Sequence, residues 1–295
     1  MDRREFLKKS MLLSAAALVG GKLFSHTAEV AEDKAKRAPR KKKEIGIQLY
    51  SVRGDMGENA AATLKKLSEM GYTTVETAAY GDGKFYGLAP AEFRKMAEDV
   101  GIRVTGAHLG IGLDRNNLQG CLDWWKQACD AQVAVGGKYI VLPGFSVGPT
   151  LAELQEYCDY FNRIGEIANA AGLRYGYHNH SHEFAKLEGH VIEDYLIENT
   201  DPDKVMFELD VFWATKGGVN PSAYIAKYAG RFPLLHIKDE DIIGASETID
   251  FESIFDAAYK QGLEAYYVEI EANSLPPMVC AQKSADYLDV SKFVK

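Results

Sequence analysis

The residues able to do chemistry fall into short strings: His108, His178-Asn179-His180, Glu208-Leu209-Asp210, His236-Ile237-Lys238-Asp239 and Glu269-Ile270-Glu271. Imidazoles and carboxylates ligate divalent cations and move protons near neutral pH. His178, Asp210, His236 and Glu269 recur at nearly equal spacing, so all four can close around one divalent ion. Two imidazoles with two carboxylates give mixed nitrogen and oxygen ligation, which suits Mn, Co, Zn or Fe better than calcium. The alternative is a polar network satisfied by hydrogen bonds without an ion. An ion in that position lowers the cost of removing a proton beside a carbonyl, provided a base stands within reach. Glu183, in His180-Ser181-His182-Glu183-Phe184, and Glu271 are the candidate bases, although Glu183 in a surface salt bridge fits the sequence equally well. Lys238 and His108 can neutralise or protonate the developing oxyanion. Trp213 is expected in a loop over the site, stacking on a sugar ring or packing the loop against the rim. Lys216-Gly217-Gly218 reads as a lid, an anion contact or a plain turn.

These strings need a scaffold that brings distant strand ends together. A short apolar or β-branched pattern recurs eight times, each time followed by a helical one. The strands are expected near Ile45–Tyr50, Thr73–Thr77, Ile102–His108, Lys138–Leu142, Leu173–His178, Lys204–Asp210, Pro233–Ile237 and Ala265–Ile270, with ends 27 to 36 residues apart. That is βα spacing, and its unbroken alternation predicts a parallel sheet closed as a (β/α)8 TIM barrel over residues 44–295. Stop and cap signals agree. Gly71, Gly172 and Gly262 follow helical stretches, and Thr150 with Glu153, Asn220 with Pro221, and Asp250 start others. An open doubly wound sheet should carry a Gly-rich phosphate loop after the first strand, and Gln48 to Gly54 has no GxGxxG. Period-2 alternation puts His178 with His180, Glu208 with Asp210, His236 with Lys238, and Glu269 with Glu271 on common faces.

Residues 1–31 read as an export leader: Arg3 and Arg4 precede the apolar run Met11 to Val19, which is too short to span a membrane. The string Arg3-Arg4-Glu5-Phe6-Leu7-Lys8 resembles a twin-arginine signal, an address read transiently by the export machinery, which implies a periplasmic protein without a stable membrane anchor. A basic N-terminal helix retained in the cell is the alternative. Residues 32–43 read as a basic linker. The first 43 residues carry 12 Lys/Arg against 5 Asp/Glu, so the chain's net −8 leaves −15 on the remainder, which disfavours a nucleic-acid partner. Cys121, Cys129, Cys158 and Cys280 lack metal-ligand spacing and fall in expected helices, where buried thiols are the default, although export would permit a disulfide. A homo-oligomer is compatible with the sequence.

From Ile45 onward the strings GIQLYSVR, GYHNHSHEF, FELDVFWATKGG, FPLLHIKD and YYVEIE resemble the xylose-isomerase-like TIM barrels. These include sugar phosphate isomerases/epimerases, inosose dehydratases and abasic-site endonucleases; the likeness is strongest to a bacterial isomerase/epimerase branch. The resemblance implies one divalent metal held by a Glu ending strand five, an Asp after strand six, a His on strand seven and a Glu on strand eight. Those positions are His178, Asp210, His236 and Glu269 here, so strand five departs from the pattern. In epimerases of the family the two glutamates resemble a two-sided acid/base pair. With His178 in place of one, either it ligates and the base lies elsewhere, or His180 or Glu183 fills the vacant position. His108 resembles a substrate- or metal-adjacent histidine, and Glu76, where strand two reaches the pocket, is expected with His180 and Trp213 to contact substrate. The implied substrate is a small sugar or keto-sugar, and an exported enzyme would meet few sugar phosphates. Isomerisation, epimerisation and β-elimination from a 3-keto-glycoside share the same first proton removal. A non-catalytic sugar-binding barrel is the competing class.

Overall fold

A computed structural model describes residues 43–271 and 274–295. The expected leader over 1–31 and all but the last residue of the 32–43 linker lie outside them. The unit from Lys43 to Lys295 is built on eight parallel strands: β1 Gly46–Gln48, β2 Thr74–Thr77, β3 Arg103–Ala107, β4 Tyr139–Leu142, β5 Arg174–His178, β6 Val205–Asp210, β7 Leu234–Lys238 and β8 Ala265–Glu269. Sequence neighbours pair in parallel ladders everywhere except between β3 and β4, and β1 pairs with β8. The β3–β4 seam is joined by a His108–Val141 bridge, with Leu109 N donating to Val141 O at 3.0 Å and Lys138 N to Thr105 O at 2.8 Å. The sheet is therefore a closed (β/α)8 barrel.

Nine α-helices occur among the described residues: α1 Arg53–Met70, α2 Pro90–Glu98, α3 Leu118–Val135, α4 Leu151–Ala170, α5 Ile192–Glu198, α6 Val211–Lys216, α7 Pro221–Lys227, α8 Phe251–Lys260 and α9 Pro277–Val290. None is long and apolar enough to cross a membrane. The side chains of Thr150, Asn220 and Asp250 accept from the backbone N–H groups of Glu153, Ala223 and Ser253, satisfying donors that α4, α7 and α8 would otherwise leave orphaned. Gly71 ends α1 in the left-handed region at φ 105°, where a side chain would be strained.

The large apolar core lies between strands and helices, while Tyr139, Val141, Met206 and Leu234 form a separate small cluster inside the barrel. Trp125 on α3 is fully buried, packs edge-on against Tyr175 and donates its indole N–H to the Tyr160 hydroxyl at 2.7 Å, so it is a packing residue. The four cysteines are buried free thiols, two on α3 and one each on α4 and α9.

One buried carboxyl has little to compensate it. Glu193 in the first turn of α5 is fully buried, neither oxygen has a hydrogen-bond partner, and burial, reinforced by Glu183 and Asp194, pushes its pKa well above the ordinary value. A folded-state pKa above the unfolded one means a stability contribution that is full at low pH and is lost as pH rises through the folded value. Glu193→Gln removes this titration. Urea melts should therefore show the variant gaining on the parent as pH rises from 5 to 8; a pH-independent difference would contradict a neutral buried Glu193.

Candidate active site

Strand register sets the site. In the parallel ladders Gln48 lies beside Glu76, His178 beside Glu208, Asp210 beside His236, and Lys238 beside Glu269. All are buried and sit at the carboxyl ends of their strands, the end at which barrels of this kind gather functional residues. The alternation expected for Glu208/Asp210 and His236/Lys238 holds, because in each pair both side chains reach the same polar cluster.

One ligand atom from each of His178, Asp210, His236 and Glu269 falls within 4.8 Å of the others. His236 Nδ1 is 3.3 Å from Glu269 Oε2, and His178 Nε2 is 3.5 Å from Asp210 Oδ2. Neither His178 nitrogen nor Asp210 Oδ2 has a hydrogen-bond partner, although all three atoms are buried. Buried polar atoms without partners are costly, and a cation shared among them removes that cost. The donor set and these orphaned atoms fit a divalent ion. Burial, then the neighbouring His236 and His108, hold His178 well below the usual imidazole range, so it is neutral and can ligate. Burial raises Asp210 to about 7 against the opposing pull of Lys238. Burial also opposes ionisation of Glu269, but His236 and Lys238 outweigh it and keep its pKa below the ordinary value.

A second tier lies beneath. His236 Nε2 is 2.8 Å from Glu76 Oε2 and 3.2 Å from Glu208 Oε2, while His108 Nε2 is 2.7 Å from Glu208 Oε2 and 3.2 Å from Glu76 Oε2. Gln48 donates to Glu76 Oε2 at 2.8 Å. Burial disfavours charge on both histidines, yet Glu76 and Glu208 raise His108, and Glu208 and Glu269 raise His236. Gly106 on β3 is needed here, since a Cβ would stand 2.6 Å from Glu76 Oε1. Glu76, expected to contact substrate, is thus fully buried in this tier. Glu208 was not singled out for a role from sequence, although its place two residues before Asp210 on an alternating strand was the signal.

At the rim, Lys238 bonds Glu271, approaches Glu269 Oε2 at 3.3 Å and lies 4.6 Å from the Trp213 ring centroid. Trp213 is not in a loop. It lies in α6, which begins directly after β6 because Asp210 Oδ1 accepts the Trp213 N–H at 2.8 Å. The His180 ring is 5.9 Å from Trp213 and its Nδ1 has no partner. Glu183 is drawn away from the converging ligand atoms: it accepts from the Tyr177 hydroxyl and, at 2.8 Å, from the His180 backbone N–H. It is fully buried rather than on the surface, and its Oε1 also lies 3.3 Å from Nε2 of the exposed His182, so a loop pairing does form from a buried carboxylate. Gly217 lets the chain pass Phe184, whose ring carbon would stand 2.5 Å from an added Cβ, so this glycine is explained by packing.

A closed eight-stranded barrel with imidazoles and carboxylates gathered at its mouth defines the structural class. Residues 64–290 match the xylose isomerase-like TIM barrels, and the chain belongs to that family. A sugar phosphate isomerase/epimerase from Parabacteroides distasonis ATCC 8503 superposes with a TM-score of 0.83 at 35% identity, covering 88% of this chain and 98% of that one. An inosose dehydratase of Geobacillus kaustophilus (strain HTA426) is 25% identical over 193 residues, 60% of this chain, and the match spans only 60% of that relative's length. A D-allulose 3-epimerase from Methylomonas sp. shares the fold at 16% identity and a TM-score of 0.65, covering 85% of this chain and 99% of the other.

Proposed function

We propose that this protein is a divalent-metal-dependent enzyme of the sugar isomerase/epimerase type that removes a proton beside the carbonyl of a non-phosphorylated sugar or keto-sugar. The observation that carries the reading is the convergence of His178, Asp210, His236 and Glu269 with three buried ligand atoms lacking partners. A divalent ion bound by these four supplies Lewis-acid polarisation of a carbonyl and its neighbouring hydroxyl. Lys238, whose ammonium is retained because Asp210 and Glu269 outweigh its burial, stands ready to neutralise negative charge developing on oxygen. Burial lowers the His180 pKa, so its imidazole is neutral and Nδ1 is open to accept the carbon-bound proton. Glu183 fixes the His180 backbone, and Glu271 steadies Lys238. Trp213 offers a ring face to a sugar.

Two points favour a non-phosphorylated substrate. Lys238 is the only Lys or Arg side chain found in this cluster among the described residues, and it is already matched by Glu269 and Glu271. Export by the twin-arginine route, proposed from Arg3-Arg4, would also place the enzyme where sugar phosphates are scarce. The second reading is β-elimination from a 3-keto-glycoside. It is favoured by His178 standing where a two-sided epimerase needs a second carboxylate, and the dehydratase among the relatives is named for an elimination.

Free aldoses, ketoses and 3-keto-glycosides should be screened with added manganese, cobalt or zinc in deuterated water. Deuterium is expected at the carbon beside the carbonyl in product or recovered substrate, with turnover lost to a chelator. Metal-independent turnover without label at that carbon in either pool would refute the proposal.

A further inference from the structure

We propose that Glu76, His108, Glu208 and His236 form a second divalent-cation site beneath the first, with zinc or cobalt(II) as the fitting ion. Strands β2, β6 and β7 each supply one ligand, and His108 follows directly after β3. The four atoms are His108 Nε2, His236 Nε2, Glu76 Oε2 and Glu208 Oε2. Every nitrogen faces both oxygens, at 2.7 and 3.2 Å for His108 and at 2.8 and 3.2 Å for His236. Around a tetrahedral ion with ligand bonds of about 2.0–2.1 Å, neighbouring ligand atoms stand roughly 3.3 Å apart, so the set needs only slight expansion to hold one. The His108 and His236 rings stack at 4.7 Å with 15° between their planes, and both Nε2 atoms face the same two carboxylate oxygens.

Hydrogen bonding alone leaves this tier short of donors. A ring nitrogen carries at most one hydrogen, yet each Nε2 is divided between two carboxylates. Oε1 of Glu208 and Oε1 of Glu76 are buried with no hydrogen-bond partner. Two fully buried carboxylates this close repel each other, and a divalent ion between them turns that cost into ligation.

His236 links the tiers, because its Nδ1 faces Glu269 and its Nε2 faces Glu76 and Glu208. With an ion in each tier it would bridge them as an imidazolate, both ring protons held in the metal-free protein passing to solvent. The inner site shares His236 with the proposed function but does not depend on the reaction catalysed at the mouth.

The test is metal counting on the chelator-stripped full chain reloaded with zinc, together with anomalous scattering at the zinc edge in crystals. Two ions per chain and two peaks joined by His236 are expected. Glu208→Gln should lose the inner peak and weaken that ion's binding by more than roughly 100-fold while keeping the outer one. Asp210→Asn should do the reverse, with circular dichroism confirming that each variant is folded. A single ion on His178, Asp210, His236 and Glu269, with zinc affinity untouched by Glu208→Gln, overturns the inner site and leaves the proposed function standing. An inner ion alone supports this inference and removes the metal from the proposed mechanism. The parent protein's peak count decides the matter even if a variant fails to fold.

Discussion

Asp210→Asn is expected to lower kcat/KM by roughly 10³-fold or more while the barrel stays folded, since a Lewis acid contributes several kcal/mol to the transition state. The choice of asparagine follows from two separate jobs. Asp210 Oδ1 caps α6 by accepting the Trp213 N–H at 2.8 Å, whereas Oδ2 faces His178 Nε2 at 3.5 Å and Lys238 Nζ at 3.9 Å without a hydrogen bond. Asparagine caps helices as well as aspartate does, so the first job survives and the negative ligand is lost. Alanine removes both and costs about 1 kcal/mol more through the cap. His236→Ala should also abolish turnover, but it strips Glu76, Glu208 and Glu269 of a shared partner and is the less specific test. Kinetics and zinc affinity, with thermal melts as the control, check the prediction. Full activity in Asp210→Asn would exclude Asp210 as a ligand.

The eight strands were legible because each is a short apolar run bounded by a helix stop and followed by a cap. Their limits moved by one or two residues for local reasons. The first strand ends at Gln48, whose side-chain oxygen accepts the Tyr50 N–H and starts a 3-10 turn over Leu49–Val52. The sequence suggests a loop at Trp213 because nothing in the string Asp210-Val211-Phe212 announces that the last residue of a strand also caps a helix. The four outer ligand positions could be read as strand-end residues at near-equal spacing. The inner tier could not, because it depends on register around a closed sheet: Glu76 meets His236 across 160 residues of chain. Glu183 shows the same limit on a smaller scale. Its sequence position fits a base, but the Tyr177 hydroxyl that engages it arrives from the outward face of β5, and alternation alone does not tell which outward side chain returns to the rim.

Lys238→Met should lower the unfolding free energy of the chelator-treated protein by about 3–5 kcal/mol at pH 7, the range for removing one partner of a buried ion pair. Lys238 is 2% exposed, bonded to Glu271 and 3.3 Å from Glu269, with its ammonium 4.6 Å from the Trp213 ring centroid, and methionine fills a similar volume without that charge. What disappears is the cation between Asp210 and Glu269. The pH dependence follows from Glu269, whose folded-state pKa lies below the ordinary 4.5 because His236 and Lys238 together outweigh its burial. A depressed carboxylate pKa gives stability that is present above the unfolded value and is lost as pH falls through the folded one. Removing Lys238 forfeits part of that contribution, so the deficit should be largest near pH 7 and shrink below pH 4.5, which urea melts across that range would show. Zinc should narrow the gap at pH 7 by returning positive charge to the same carboxylates, whereas turnover should stay low because no ammonium faces the substrate oxygen. A variant as stable as the parent without metal would mean that His236 alone balances these carboxylates, and Lys238 would then serve only the substrate.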